Sequence, residues 1–420
     1  MKRRAVKKYF QDPVYGQIAV ESPLLLALID SRAVQRMKHI RQLGVSYFTF
    51  LGADHSRFSH SLGCMAVMAR VLAHLEAGSG LALSPEEREL AMAAALLHDV
   101  GHCAFSHTLE NVLGHDHESM TARLLSEDPQ LRGILGSKAA KLARLFKGPR
   151  PSGTLGTIKD LISSQLDVDR LDYLGRDAHY TGVNSGQVDL SRIIASLTLG
   201  PGGRLRVTER GVLAIEEYFL ARYFMYWKVY LHKTSRGLEL ILKNIIRRAK
   251  QLHAAGSLEQ AGLTPALRAL FELGDKAPLG AFLDHDDSDV MVGIKSWQYG
   301  SDPILSDLSG RFLNRRKFRL LREARSPKED LSVEKRRKIR AYFERLAKGS
   351  SSYYFLEDSI GTLPYDPKEG VTLQREDGRV EDLALRSHII RDITRRLVRA
   401  RYYVPMEHAA KLRRILEGAL

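Results

Sequence analysis

Apolar positions in this chain recur mostly at helical spacing. From 22 to 43 the pattern SPLLLALIDSRAVQRMKHIRQL reads as two short helices, with Ser22-Pro23 and Asp30 or Ser31 as starts. Residues 56–77 read as a longer helix carrying Leu62, Met65, Ala66, Ala69 and Leu72 on its apolar side. Ser84 followed by Glu87, with Pro85 at the first helical position, marks a capped start. That helix runs through AMAAALLHDVG and is expected to stop at Gly101. Helical spacing returns over 115–125, 154–175 and 212–250. Between these tracts, 1–20 looks like an arm with a turn at DPVYG. Residues 44–52 read as extended or loop, and 204–208 (RLRVT) as a short strand. Residues 253–262 read as a turn between helices. Residues 286–294 and 352–385 depart from the helical pattern, and YYFLED, GVTLQRED and the DG turn at 377–378 suggest strands. The last forty residues read as helical, interrupted by YYVP at 402–405. The expected fold is mainly α. A helical core with an N-terminal arm covers 1–250, and a smaller mixed α/β region covers 251–420, suited to oligomerisation or regulation.

Composition narrows the class. The 420 residues are 44% hydrophobic and 27% charged, a globular balance that argues against disorder. Two cysteines, Cys64 and Cys103, are too few for a disulfide scaffold, which points to a reducing cytosol and a cytoplasmic protein. The basic start MKRRAVKKYF is followed by no apolar stretch, so it does not read as a signal peptide. The apolar runs near 24–29 and 91–97 fall short of the roughly 20 residues that span a membrane, so no membrane partner is expected. The net charge of +15 favours an anionic partner. Residues 311–340 hold 13 Lys plus Arg against four Asp plus Glu, hence 13 − 4 = +9 of that charge. A solvated surface helix explains this tract most simply. A regulatory nucleotide site or oligomer interface comes next, and nucleic acid last.

The candidate chemistry lies elsewhere. His60, His98, His102, His107, His115 and His117 are interleaved with Asp99, Glu110, Asp116 and Glu118. Any one of these histidines alone would read as a core or capping residue. So many imidazoles and carboxylates beside an Ala-rich core helix are costly unless they are paired or bind metal. Imidazole and carboxylate suit Mn, Fe, Mg, Co, Ni or Zn to differing degrees, so the sequence calls for a divalent ion without choosing it. A second acidic cluster, QLDVDRLDYLGRDAHYTG at 165–182, spaces Asp169, Asp172, Tyr173 and Asp177 by three and four, on one helix face. A solvated helix with internal ion pairs is the plain alternative there.

Taken together, RFSHSLG at 57–63, HDVGHCAFSH at 98–107 and DVDRLDYLGRD at 167–177 resemble the HD-domain phosphohydrolase superfamily. DPVYGQI, IRQLGVSYFTFLGADHSRFSHSLG and RYFMYWKVYLHK extend the resemblance towards its bacterial deoxynucleoside triphosphate triphosphohydrolase branch. The resemblance implies a helical HD-domain core. It implies metal ligation by His60, His98, Asp99 and Asp169, and catalytic roles for His117, Glu110 and His102. It implies phosphate contacts from Arg57, His107, Arg170 and Arg222. Gln42, Leu43, Tyr173 and Asp177 would meet the sugar, where a tyrosine leaves no room for a 2′-hydroxyl. The implied reaction is attack of a metal-activated water at the α-phosphorus, giving deoxynucleoside and inorganic triphosphate. A homo-oligomer, dimer or higher, and a regulatory nucleotide are also implied. Tyr226-Trp227-Lys228 departs from the family, standing where relatives are richer in His and Arg. Another HD-domain nucleotidase or phosphodiesterase, and a nucleic-acid-binding or regulatory HD protein, are the competing readings.

Overall fold

The computed structural model of the protein describes residues 7–259, 261–346 and 349–417. The basic MKRRAV start lies outside them. The arm is an antiparallel hairpin of Lys8–Asp12 and Gly16–Val20. Asp12 closes its turn by accepting from the Val14 and Tyr15 N–H groups at 2.9 Å each. Helices Pro23–Ile29 and Arg32–Arg36 follow, the first capped by Ser22 Oγ.

Helices Arg57–Gly78, Pro85–Leu97 and Val168–Thr181 form the centre. The second begins with the expected reciprocal cap between Ser84 and Glu87. Its Ala91, Ala93, Ala94 and Ala95 are fully buried, small side chains that allow close packing on its neighbours. It ends at Leu97, short of Gly101, because the chain turns there against helix His117–Glu127. A Cβ on Gly101 would stand 2.2 Å from the His117 carbonyl oxygen.

The structure corrects three sequence expectations. Residues 286–294 belong to a helix, Asp287–Trp297, whose Asp286 and Asp289 form a capping box. The acidic run is the helix start, where carboxylates meet free N–H groups. The tract 212–250 is interrupted: helix Val212–Met225 passes into a π-helical turn at Tyr226–Tyr230, and His232 caps a new helix, Lys233–Ala254. YYVP does not interrupt a helix. It belongs to strand Leu397–Pro405, which pairs antiparallel with Phe318–Ala324 on one side and Leu356–Thr362 on the other. Central position between two strands overrides the surrounding helical pattern.

A second sheet orders Leu197–Gly200, Arg204–Thr208, Thr372–Gln374 and Val380–Asp382. The RLRVT strand pairs with its upstream neighbour and, in parallel, with Thr372–Gln374. The DG turn lies between the last two strands, with Gly378 at φ +83°. One apolar core runs from Ile18 to Tyr403. A smaller one, with Leu321, Ile339, Phe343, Tyr402 and Leu412, lies on the opposite face of the three-stranded sheet, as the alternation of Tyr402 and Tyr403 requires.

Much of the basic tract is internally paired. Arg311 is buried between Asp307 and Glu407, Arg336 meets Asp330 at 2.7 Å, Lys338 meets Glu334 at 3.1 Å, and Arg340 meets Glu357. Among the described residues no helix is long and apolar enough to cross a membrane.

Candidate active site

Three central elements converge on one point. His60 projects from Arg57–Gly78, His98 and Asp99 from the turn after Pro85–Leu97, and Asp169 from the first turn of Val168–Thr181. His60 Nε2 lies 3.0 Å from Asp169 Oδ1 and 3.6 Å from Asp99 Oδ2. His98 Nε2 lies 3.3 Å from Asp99 Oδ1 and 3.6 Å from Asp169 Oδ1. Both rings are held from behind. His60 Nδ1 donates to Asp172 Oδ2 at 2.7 Å, and His98 Nδ1 donates to the Ala95 carbonyl at 2.9 Å. That fixes the tautomer with the lone pair on Nε2, as a metal ligand needs.

His98 Nε2 is buried without a hydrogen-bond partner, an arrangement that calls for a further group. Two neutral imidazoles and two carboxylates suit a divalent cation in donor type and in charge. The residues fit such an ion, which His60, His98, Asp99 and Asp169 would hold. Burial opposes ionisation of Asp99, but Arg57 and the two nearby histidines hold it well below the usual carboxylate range. Cys64 is buried beside His60. Its Sγ lies 3.5 Å from His60 Nε2 and 3.6 Å from Nδ1, so it sits over the ring face, away from the Nε2 lone pair. Burial pushes its thiol upward, keeping it protonated.

Beside this centre, three histidines surround one carboxylate. Glu110 Oε1 is 3.0 Å from both His102 Nδ1 and His117 Nδ1, and Oε2 is 3.2 Å from His107 Nδ1. His102 and His117 stack with centroids 4.0 Å apart and planes 11° apart. Burial and the Arg57 charge push His102 down to about 3, so it stays neutral. Burial works against protonation of His117 as well, but the Glu110 carboxylate outweighs it and raises that imidazole above its ordinary value.

Arg57 joins the two groups. It pairs with Asp99, and its Nε donates to Ser106 Oγ at 2.7 Å. Phe105 and Ser106 both take φ +53°, a strained turn for residues with side chains. Asp287 pins that turn, accepting from the Phe105 N–H at 2.7 Å and from the Arg41 N–H at 3.1 Å. Arg36 adds a second tie, donating to the His285 and His102 carbonyls at 2.6 and 2.7 Å. The sequence reading missed both roles. Nothing in the spacing of the DHDDSDV run at 284–290 reveals a contact with residue 105.

A cavity of about 490 Å³ opens over this assembly. Of the expected residues, Gln42, Leu43, Arg57, His98, Asp99, His102, His107, His117, Asp169, Arg170, Tyr173 and Asp177 line it. His60 is not on its wall and is fully buried, and Glu110 is likewise off the wall, set among the three histidines. Arg222 is not brought to the wall: its Nη1 donates to the Pro364 carbonyl at 3.0 Å. Arg170 lines the cavity but folds back onto Asp167 and the Ser164 carbonyl. Asp177 accepts from Tyr230 OH and meets His55 Nε2, each at 2.7 Å.

The π-helical turn Tyr226–Tyr230, which includes the departing Tyr226-Trp227-Lys228, divides its side chains. Tyr226 and Tyr230 face the cavity, whereas Trp227 packs under Arg399 at 3.9 Å and Lys228 donates to Ser185. Arg236, Glu239 and Lys243 also line the cavity and were not foreseen, although their spacing of three and four places them on one helix face.

These features agree with comparisons to known proteins. The HD-domain family profile matches residues 57–177, and that of the HD associated region matches 188–417. YwfO of Bacillus subtilis, itself uncharacterised, is 36% identical over 92% of this chain and 89% of its own length. The crystal structure of a phosphohydrolase from Bacteroides thetaiotaomicron matches with a TM-score of 0.85 at 30% identity, covering 95% of this chain and 100% of that one. The deoxynucleoside triphosphate triphosphohydrolase SAMHD1 of Gallus gallus is 27% identical over 58% of this chain and 46% of its own length. The chain belongs to the HD-domain phosphohydrolase superfamily. Within that superfamily it is a metal-dependent hydrolase.

Proposed function

We propose that the protein hydrolyses deoxynucleoside triphosphates to deoxynucleoside and inorganic triphosphate. One observation carries this reading: a single cavity joins the His/Asp/Arg57 group to Gln42, Leu43, Tyr173 and Asp177. The first set suits a polyphosphate and the second a sugar. Asp169, Tyr173 and Asp177 lie four residues apart on one helix, so this wall extends roughly 12 Å at about 1.5 Å per residue, the scale of a nucleotide.

A divalent ion held by His60, His98, Asp99 and Asp169 would polarise the α-phosphate and lower the pKa of a water. Arg57 and Lys159 place positive charge on the cavity wall, and Arg57 keeps its guanidinium fixed through Asp99 and Ser106. His117, whose protonated form the Glu110 carboxylate favours, donates a proton to the departing 5′-oxygen. Neutral His102, stacked on His117, positions that ring without adding a competing charge. Tyr173 stands where a deoxyribose packs against it and disfavours a 2′-hydroxyl. Tyr230 and Asp177, already bonded to each other, hold the sugar end in register.

The test is incubation of the metal-reconstituted protein with a panel of deoxy- and ribonucleoside triphosphates, alone and mixed, followed by product separation. Triphosphate with deoxynucleoside is expected. Orthophosphate or a mononucleotide as product overturns the proposal in favour of another HD-domain nucleotidase or phosphodiesterase. Stimulation seen only in mixtures would identify a regulatory nucleotide.

A further inference from the structure

The N-terminal hairpin is connected to the candidate metal centre by a continuous line of charged side chains. Arg176 Nη1 donates to Asp12 Oδ2 at 2.8 Å. The same guanidinium donates to Asp172 Oδ2 and Oδ1 at 2.8 and 3.0 Å. Asp172 Oδ2 in turn accepts from His60 Nδ1 at 2.7 Å. Asp12 is 5% exposed and Arg176, Asp172 and His60 are 0% exposed. The turn of the hairpin fixes Asp12, because its other carboxylate oxygen accepts from the N–H groups of Val14 and Tyr15. The Tyr15 ring lies 5.6 Å from the Arg176 guanidinium. Gly63 leaves room for the pair: a Cβ there would stand 1.9 Å from Asp172 Oδ1 and 2.3 Å from Arg176 Nη2.

Stability alone is a weak reason for such an arrangement, since buried ion pairs are often matched by apolar packing of the same volume. Its end on His60 supplies a better one. A carboxylate on the rear nitrogen of a ligating imidazole fixes the tautomer and strengthens the donor atom. Two carboxylates and one guanidinium leave one net negative charge behind His60. Without Asp12, Arg176 would draw more fully on Asp172, and Asp172 would draw less on the His60 N–H. The sign is definite: loss of either carboxylate weakens cation binding.

We propose that the line Asp12–Arg176–Asp172 sets the affinity of the metal centre through His60, so that the hairpin over residues 8–20 positions a metal ligand. The inference does not depend on the identity of the substrate. It is tested on the full chain, stripped with a chelator and titrated with Mn²⁺ while free Mn²⁺ is read by electron paramagnetic resonance. The melting temperature of the metal-free protein is measured in parallel. Asp172→Asn should weaken Mn²⁺ binding by about 10- to 100-fold in protein that remains folded. Asp12→Asn should weaken it in the same direction by less. Lower melting temperatures with unchanged Mn²⁺ affinity in both variants would make the line a structural brace only and overturn the proposal. An effect at Asp172 with none at Asp12 would overturn the hairpin's part in it. If Asp172→Asn does not fold, Asp12→Asn decides, because the side-chain bonds of Asp12 run to Arg176 and to its own turn rather than to His60.

Discussion

Two walls of the cavity are built in contrasting ways. On the wall of His98, Asp99 and Asp169, with His60 buried behind it, the ligand atoms are aimed by fixed partners: Asp172 behind His60, the Ala95 carbonyl behind His98, Arg57 on Asp99. On the wall of Arg236, Glu239 and Lys243 the bracing is partial. Arg236 is clamped by Asp358 at 2.7 and 3.1 Å and by Glu239 at 2.5 Å. Lys243 has no hydrogen bond or ion pair among the described residues, and burial lowers its pKa. The comparison separates two tasks. Chemistry requires groups fixed before substrate arrives, because reorganisation during reaction slows it. Recognition tolerates a cation that finds its partner only when the ligand supplies one.

The largest effect should come from the braced wall. His98→Ala or Asp99→Ala removes a ligand, and Asp99→Ala also leaves Arg57 without its carboxylate partner. Loss of bound metal by elemental analysis and loss of activity together are expected. Full metal content in either variant would contradict the assignment.

The next effect separates proton transfer from metal binding. His117→Ala should keep the metal while turnover falls by about 10²- to 10⁴-fold. Retained turnover would remove His117 from its role. The pH profile carries the sign. A general acid works while protonated, so turnover falls as pH rises through the His117 pKa, which Glu110 holds above the ordinary imidazole value. Glu110→Gln deletes that anion and should move the alkaline limb of kcat to lower pH. A limb that stays in place would assign it to another group.

A smaller effect is expected on the open wall. Lys243→Ala should raise KM by up to about tenfold, roughly 1.4 kcal/mol of uniform binding, with kcat unchanged. A fall in kcat without a change in KM would place Lys243 among the chemical groups and erase the contrast between the walls.

The braced wall was also the legible one. His60, His98-Asp99 and Asp169 stand in short motifs whose residue types are improbable in a core, and local spacing placed Tyr173 and Asp177 on the same helix. What sequence did not reveal depends on distant pairing. Asp287 reaches the strained turn at Phe105 across 182 positions, and Arg236 finds Asp358 across 122. In the fold, alternation and helical period found the central helices, the RLRVT strand and the arm. They failed at Asp287–Trp297, where capping carboxylates obscured a helix. They failed again at Leu397–Pro405, whose strand character comes from two partners far away in the chain.

Arg222 gives the smallest expected effect on activity and the sharpest test of where resemblance ends. The resemblance implies a phosphate contact for it. In the fold, Arg222 is 8% exposed, its guanidinium is bonded to the Pro364 carbonyl with the Tyr226 ring 5.8 Å away, and it is absent from the cavity wall. That carbonyl belongs to the segment leading into the four-stranded sheet, so Arg222 ties the second region to helix Val212–Met225. Removing it leaves a buried carbonyl without its donor, at a cost of about 1–3 kcal/mol. Arg222→Ala should therefore lower the melting temperature while kcat and KM of the folded fraction change little. A KM rise comparable with that of Arg57→Ala, at unchanged melting temperature, would instead show that Arg222 swings to the phosphates when substrate binds.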